Sequence, residues 1–466
     1  MLFNSVEYLI LLAASVAAYW LVPWLLGRQL VVFVASAWFY MSWSGAFFVM
    51  LAGLVLVNWG LGWMIDRTRQ RLWLVLGCVL NLGLLAWFKY AKFAAENIAA
   101  AIGLFHPGVQ APHLDIILPL GISFYVFELI SYLADLYRGK MRHERNPISF
   151  ALFVLFFPHL IAGPICRTGQ FLPQVNTLQR FDAAQFYNGI YLFLAGFALK
   201  CGIADGVAPF VDVIFKKPAD YSGFDNLMAA IGFGVQILCD FWGYSLMALG
   251  AALLFGYVLP PNFNLPYASL SIRDFWRRWH ITLSSWLRDY LYIALGGGRG
   301  AAWKVQRNLA LTMLLGGLWH GASWNFIIWG ALHGIALVIN RWFDETPALP
   351  RAFKAVFRIK PVAWLLTMVV VFVGWVFFRA PHFGEAITLL ARMVTPAPDW
   401  AATRLAPVFF ELLLLYLPLQ WLVHRTTWNQ DARTVRAAWQ VPAVALLTAF
   451  ALVYYVDGNQ FIYFQF

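Results

Sequence analysis

Residues 29–44 and 46–65 are two apolar runs placed back to back, without an Asp, Glu, Lys or Arg in either, and similar runs recur along the chain. A stretch of this kind has nothing to present to water, and at helical rise about 20 residues cross the roughly 30 Å hydrocarbon layer of a bilayer. This feature excludes a water-soluble globule. Composition agrees: 62% of the 466 residues are hydrophobic and 12% charged, against roughly 25% charged in an average soluble domain. The fold class that follows is all-α, a polytopic helical membrane protein, because a helix satisfies its own backbone hydrogen bonds in lipid. The 23 Trp, 19 Tyr and 41 Phe suit interfacial belts and can also line a cavity.

The net charge of +11 would by itself fit nucleic acid, an anionic membrane surface or an anionic ligand. Its placement decides. The cations gather in hydrophilic gaps (Arg67, Arg69 and Arg71; Arg138, Lys140, Arg142 and Arg145; Arg273 through Arg307; Arg351, Lys354, Arg358 and Lys360), as cytoplasmic loops do beside membrane lipids. No nucleic-acid partner is expected. Cys78, Cys166, Cys201 and Cys239 lie scattered in or beside apolar segments, so no disulfide framework and no structural zinc site is expected. The first apolar run lacks a basic leader and a small-residue cleavage site, and reads as a retained span.

Apolar segments fall near 6–26, 29–44, 46–65, 72–91, 116–137, 148–166, 184–204, 226–257, 308–320, 323–343, 362–379, 407–424 and 440–456. The segment 148–166, interrupted at Gly163-Pro164, is a re-entrant candidate, and Gly316-Gly317 suggests an irregular helix. Twelve crossings then remain. With the N-terminus outside, this count places all four basic clusters in the cytoplasm. No extramembrane domain or 20–50 residue repeat is visible, so 1–466 reads as a single transmembrane domain with its chemistry-bearing core at about 148–343.

The stretch 269–307 departs from the apolar pattern, since it mixes Trp276, Trp279, Trp286, Tyr290 and Tyr292 with Arg273, Arg277, Arg278, Arg288 and Arg299. Trp279, Leu283, Trp286 and Tyr290 are spaced by four, three and four, one stripe of a helix expected to lie along the cytoplasmic interface. An anchor helix and a ligand-binding helix both satisfy this pattern.

Ionisable groups inside apolar spans are costly and are functional candidates by default. His320 closes one apolar segment just before Gly321, where a helix can break; His280 sits on the aromatic and basic stripe; His333 and His159 lie in other apolar segments. A neutral imidazole can take a proton from a hydroxyl, so such a histidine suits general-base activation of an alcohol. A histidine bonded to a neighbouring helix is the competing reading, and His333 and His159 stay with it. Thirteen residues at 100° each place His333 off the face of His320. No set of histidines at helical spacing with a carboxylate suggests a metal, and Asp240 alone makes a poor proton relay. Cys166 near His159 reads as inert packing, and Gly296-Gly297-Gly298 as a helix terminus more than a phosphate loop.

The blocks WRRWHITLSSWLRDYLYIALGG and LWHGASWNFIIWGALHG, with FFPHLIAGPI upstream and the N-terminal MLFNSVEYLILLAASVAAYWLVP, resemble the membrane-bound O-acyltransferase (MBOAT) family, in particular its bacterial polysaccharide O-acetylation branch. The resemblance covers essentially the whole chain. It implies a bundle with interfacial and re-entrant helices around a central funnel, a catalytic histidine at His320 and a second characteristic polar position at His280. It implies an O-acetyltransferase of the bacterial inner membrane acting on a secreted glycan such as alginate or cellulose. Acetyl-CoA is the expected donor, with a carrier protein as the alternative. A periplasmic partner of the SGNH-hydrolase-like type is implied as receiver of the acetyl group, in the setting of a polysaccharide synthase complex.

In this reading His320 takes the acceptor proton, His280 polarises the thioester carbonyl or orients the donor, and Arg277, Arg278, Arg299 and Lys304 neutralise donor phosphates at the cytoplasmic mouth. The same cations would also serve as positive-inside anchors. A polysaccharide or lipid-linked transporter is the rival from another class, although it favours two pseudosymmetric repeats that the sequence does not show.

Overall fold

The computed structural model describes residues 1–161, 163–346 and 351–427, with six isolated positions between 442 and 453. No strand occurs among them; the elements are helices joined by short turns. In chain order they are α1 (Val6–Leu21), α2 (Leu25–Met41), α3 (Gly45–Thr68), α4 (Arg71–Gly103), α5 (Ile122–Tyr137), α6 (Pro147–Leu155), α7 (Thr168–Val175) and α8 (Ala183–Phe197). A π-helical segment, Ala198–Ala204, leads into α9 (Asp205–Lys216) and α10 (Gly223–Leu254). Then come α11 (Ile272–Arg278), α12 (Ile281–Trp286), a second π-helical segment (Leu287–Tyr292), α13 (Ala302–His320) and α14 (Trp324–Glu345). The series continues with α15 (Arg351–Arg358), α16 (Lys360–Arg379), α17 (Phe383–Val394) and α18 (Pro407–Thr427).

Seven helical stretches among the described residues are long and apolar enough to cross a membrane: α3, α4, α8 through α9, α10, α14, α16 and α18 as far as Arg425. The chain is a multi-pass membrane protein. The segment 440–456, apart from those six isolated positions, lies outside the described residues. Among the described residues of the segment 148–166 the only helix is α6, nine residues and therefore about 13 Å long, too short to cross a 30 Å core. Asn146 caps it by accepting from the backbone N–H groups of Ile148 and Ser149, with Pro147 at the first turn.

The chain divides into two compact units. One comprises Met1–Ile190 with Ala248–Pro260, and the other Tyr191–Met247 with the described residues from Pro261 onward. In the first unit, polar side chains tie helices together where lipid gives apolar faces no reason to associate. Asn81 donates to the Asn58 side chain at 2.7 Å between α3 and α4, and Gln29 of α2 donates to Ser149 Oγ at 3.1 Å and to the Val175 carbonyl at 3.0 Å. His159, in the turn after α6, places Nε2 3.5 Å from Glu128 of α5, whose Oε1 also accepts the Cys166 backbone N–H at 3.0 Å.

In the second unit, Gly196 and Gly243 face each other's backbone so closely that a Cβ on either would collide with the opposing carbonyl. The π-helical turn explains a neighbouring ion pair. Residues five apart diverge by about 140° on an α-helix, whereas a π-helix with its i to i+5 bonding returns them to one side. Lys200 thus reaches Asp205 at 2.6 Å and also meets Asp240 of α10 at 2.8 Å, all three buried. The intramembrane acid seen in the sequence as isolated is therefore an ion-pair member.

Two expectations are corrected here. Gly316-Gly317 does not disturb α13, which is continuous to His320. Gly317 instead lets α14 approach, since a Cβ there would strike the Phe326 carbonyl, and one on Gly330 would strike that of Met313. The stripe Trp279, Leu283, Trp286 and Tyr290 is also not one interfacial helix. The chain breaks at Trp279-His280, between α11 and α12, and changes to π-helix after Trp286; Trp279, Leu283 and Trp286 are buried. Trp279 packs instead against Phe275, Phe263 and Trp375, with ring centroids 5.7, 5.1 and 4.7 Å away. Tertiary packing outweighed the periodicity.

Candidate active site

His320 is the last residue of α13. The chain then runs extended through Gly321, whose missing side chain leaves room for the Phe326 ring, and turns back as α14. The imidazole is 4% exposed and held edge-on by three rings: Trp319 at 5.0 Å, Trp329 at 5.0 Å and Phe378 of α16 at 5.1 Å. Its position at a helix C-terminus, where the backbone carbonyls carry partial negative charge, stabilises positive charge that forms on the ring.

His280 occupies the break between α11 and α12. It is fully buried and adopts the left-handed region, φ 41° and ψ 58°, which a side chain bearing a Cβ enters at a cost. Phe241 of α10 meets its ring at right angles at 4.6 Å, and Trp319 lies 6.1 Å away. Trp319 therefore contacts both histidines, and the structure brings the two motif positions to one indole. Sequence reasoning passed over Trp319 and Trp329, although both stand inside the LWHG block and the apolar stretch after it.

His333 is buried on α14, 4.8 Å from the ring of Trp329, which also contacts His320. The wheel angle placed His333 off the face of His320 for an unbroken helix; the chain instead reverses at Gly321, and Trp329 meets both imidazoles. His159 belongs to the other unit and is paired with Glu128.

Below this aromatic cluster lies a cavity of about 570 Å³ walled by α11, α12, the second π-helical segment, α13 and α14. Arg273, Arg277, Arg288 and Arg341 line it together with Trp276 and Tyr292; Glu345 is the one carboxylate among its lining residues. Arg341 is engaged by Glu345 at 2.8 Å, Arg288 by Asp289 at 2.7 Å and Arg273 by Asp344 at 3.9 Å. Arg277 has no carboxylate within 4 Å among the described residues. Of the four cations predicted as donor ligands, Arg277 alone lines the cavity. Arg278 is turned to Asp274 at 2.9 Å, Arg299 is exposed in the turn after the triple glycine, and Lys304 lies over the Trp303 ring at 5.7 Å. The triple glycine ends the π-helical segment: Gly296 and Gly297 have positive φ, and Gly297 N–H donates to the Tyr292 carbonyl at 2.8 Å.

The cavity and the histidines are linked along two elements. Met313 lines the cavity and lies seven residues before His320 on α13, about 10 Å along the axis. Trp276, also in the wall, contacts Trp329 at 5.7 Å.

Residues 141–379, which include the cavity and both histidines, match the MBOAT, membrane-bound O-acyltransferase family. The chain belongs to this family. It is 43% identical over 414 residues to the probable alginate O-acetylase AlgI of Azotobacter vinelandii, covering 87% of this chain and 80% of that protein. It is 40% identical to the peptidoglycan O-acetyltransferase of Helicobacter pylori, covering 78% and 72%, and 28% identical to the teichoic acid D-alanyltransferase of Bacillus subtilis, covering 59% and 74%. The protein is an acyltransferase, and the transporter reading gives way to that membership.

Proposed function

We propose that this acyltransferase carries acetyl groups from acetyl-CoA, arriving from the cytoplasm, across the inner membrane for O-acetylation of a secreted polysaccharide, alginate being the substrate that the names of several of its relatives suggest. The observation that carries this reading is the arginine-lined cavity with α13 leading from its wall to His320. A donor with an anionic head and a thioester on a long flexible arm fits both ends: arginines bind phosphates, and the arm spans the distance to the histidine.

In the proposed step, His320 takes the proton from the acceptor hydroxyl as its oxygen attacks the acetyl carbonyl carbon. The C–S bond breaks, and the imidazolium returns the proton to the departing thiolate. His280 donates to or orients the thioester carbonyl. Surrounding rings keep water, the competing nucleophile, away. The receiver on the far side is proposed to be a periplasmic SGNH-hydrolase-like partner, working beside a polysaccharide synthase complex.

The test uses the full-length protein in host membranes with radiolabelled acetyl-CoA. Wild type transfers label, and His320→Ala inserts normally yet transfers on the order of 10²-fold less or lower still. Retained transfer in His320→Ala removes the base assignment, and label accepted from an acyl carrier protein but not from acetyl-CoA removes the donor assignment.

A further inference from the structure

The left-handed turn at His280 is held from outside its own helices by one buried residue of the 255–265 loop. Asn262 is 2% exposed. Its backbone carbonyl accepts the Ile281 N–H at 2.9 Å, its Oδ1 accepts the Thr282 hydroxyl at 2.6 Å, and its Nδ2 donates to Ser245 Oγ at 3.0 Å. Two residues on, Asn264 N–H donates to the Arg278 carbonyl at 3.0 Å, so the loop brackets His280 on both sides.

Ser245 lies one helical turn beyond Phe241 on α10, and Phe241 is the ring standing against the His280 imidazole. Asn262 thus ties the backbone of the His280 turn to the same face of α10 that carries the ring packed on its side chain. A buried amide satisfied at both ends has one orientation, which fixes the turn as well. The conformation that disfavours any residue with a Cβ persists because these bonds over-determine it.

We propose that Asn262 is a positioning residue for the acyl transfer, acting through His280, with Thr282 and Ser245 as the hydroxyls that orient its amide. This rests on the reading that His280 takes part in the chemistry.

The experiment is a double-mutant cycle on the full-length protein in host membranes, with acetyl-CoA as donor and kcat and KM measured for Asn262→Ala, His280→Ala and the pair. Expected is a fall in kcat of roughly 10²-fold for Asn262→Ala with KM for acetyl-CoA unchanged, since misplacing a group by about 1 Å costs on that order. Its effect should vanish in the His280→Ala background. Thr282→Val, which removes one bond and keeps the shape, should give a smaller kcat loss at wild-type protein yield and covers the case in which Asn262→Ala fails to fold. Full activity of Asn262→Ala or of Thr282→Val overturns the proposal. Equal losses from Asn262→Ala with and without His280 also overturn it while leaving His280 in the chemistry. Full activity of His280→Ala removes the role of His280 itself, and the proposal with it.

Discussion

His159 and His320 are both buried imidazoles in apolar segments, each beside a glycine-containing break, yet their surroundings differ in kind. His159 has a carboxylate beside it, Glu128, which also accepts a backbone N–H, and the group closes a break in the backbone after α6. His320 is ringed by Trp319, Trp329 and Phe378 at the end of a helix whose wall runs down to a cavity lined with arginines. Residue type and burial are shared and carry no functional information. Under the proposed function, what sets His320 apart from His159 is its counter-group and the space it can reach.

Substitutions can break that contrast. The largest effect expected is on transfer by His320→Ala, a loss on the order of 10²–10⁴-fold as for removal of a general base, with unaltered yield and thermal stability. If His159→Ala gave an equal loss at equal stability, the contrast would fail. Next comes stability. Lys200→Met leaves Asp205 and Asp240 buried without their shared cation and should destabilise the protein by about 3–5 kcal/mol, read as a lower unfolding temperature in detergent. Glu128→Gln should act in the same direction but less, since a neutral amide can still accept the Cys166 N–H, and kcat per folded molecule should stay at the wild-type value.

The smallest effects belong to the cavity. Arg277→Ala should raise KM for acetyl-CoA about tenfold, the loss of one charge-assisted contact, and leave KM for acetyl-pantetheine, which lacks the nucleotide phosphates, unchanged. Arg299→Ala and Lys304→Ala should change neither, because those side chains do not line the cavity. A tenfold rise in KM for Lys304→Ala would move the anion site away from the cavity and weaken the path to His320.

The sequence by itself determined the membrane-embedded helical class, because uncharged runs as long as a bilayer is thick admit few other solutions. The cost of a histidine in or beside an apolar span marked four candidates, and the family resemblance of the two aromatic blocks singled out His320 and His280 among them. Which cations surround the cavity was not legible. Arg277 and Arg278 are adjacent in sequence, yet Arg277 lines the cavity while Arg278 pairs with Asp274, and Arg341 joins Arg277 only because α14 folds back along α13.

The tertiary structure alone decided the break at His280, the pairing of Asp240 with Lys200 and the meeting of both histidines at Trp319. Each depends on contacts between residues separated by tens of positions, or on a local departure from 3.6 residues per turn. Helical periodicity is a statement about one unbroken helix. At this candidate site the helix is interrupted, and His280 and His320 come together at Trp319 around the interruption.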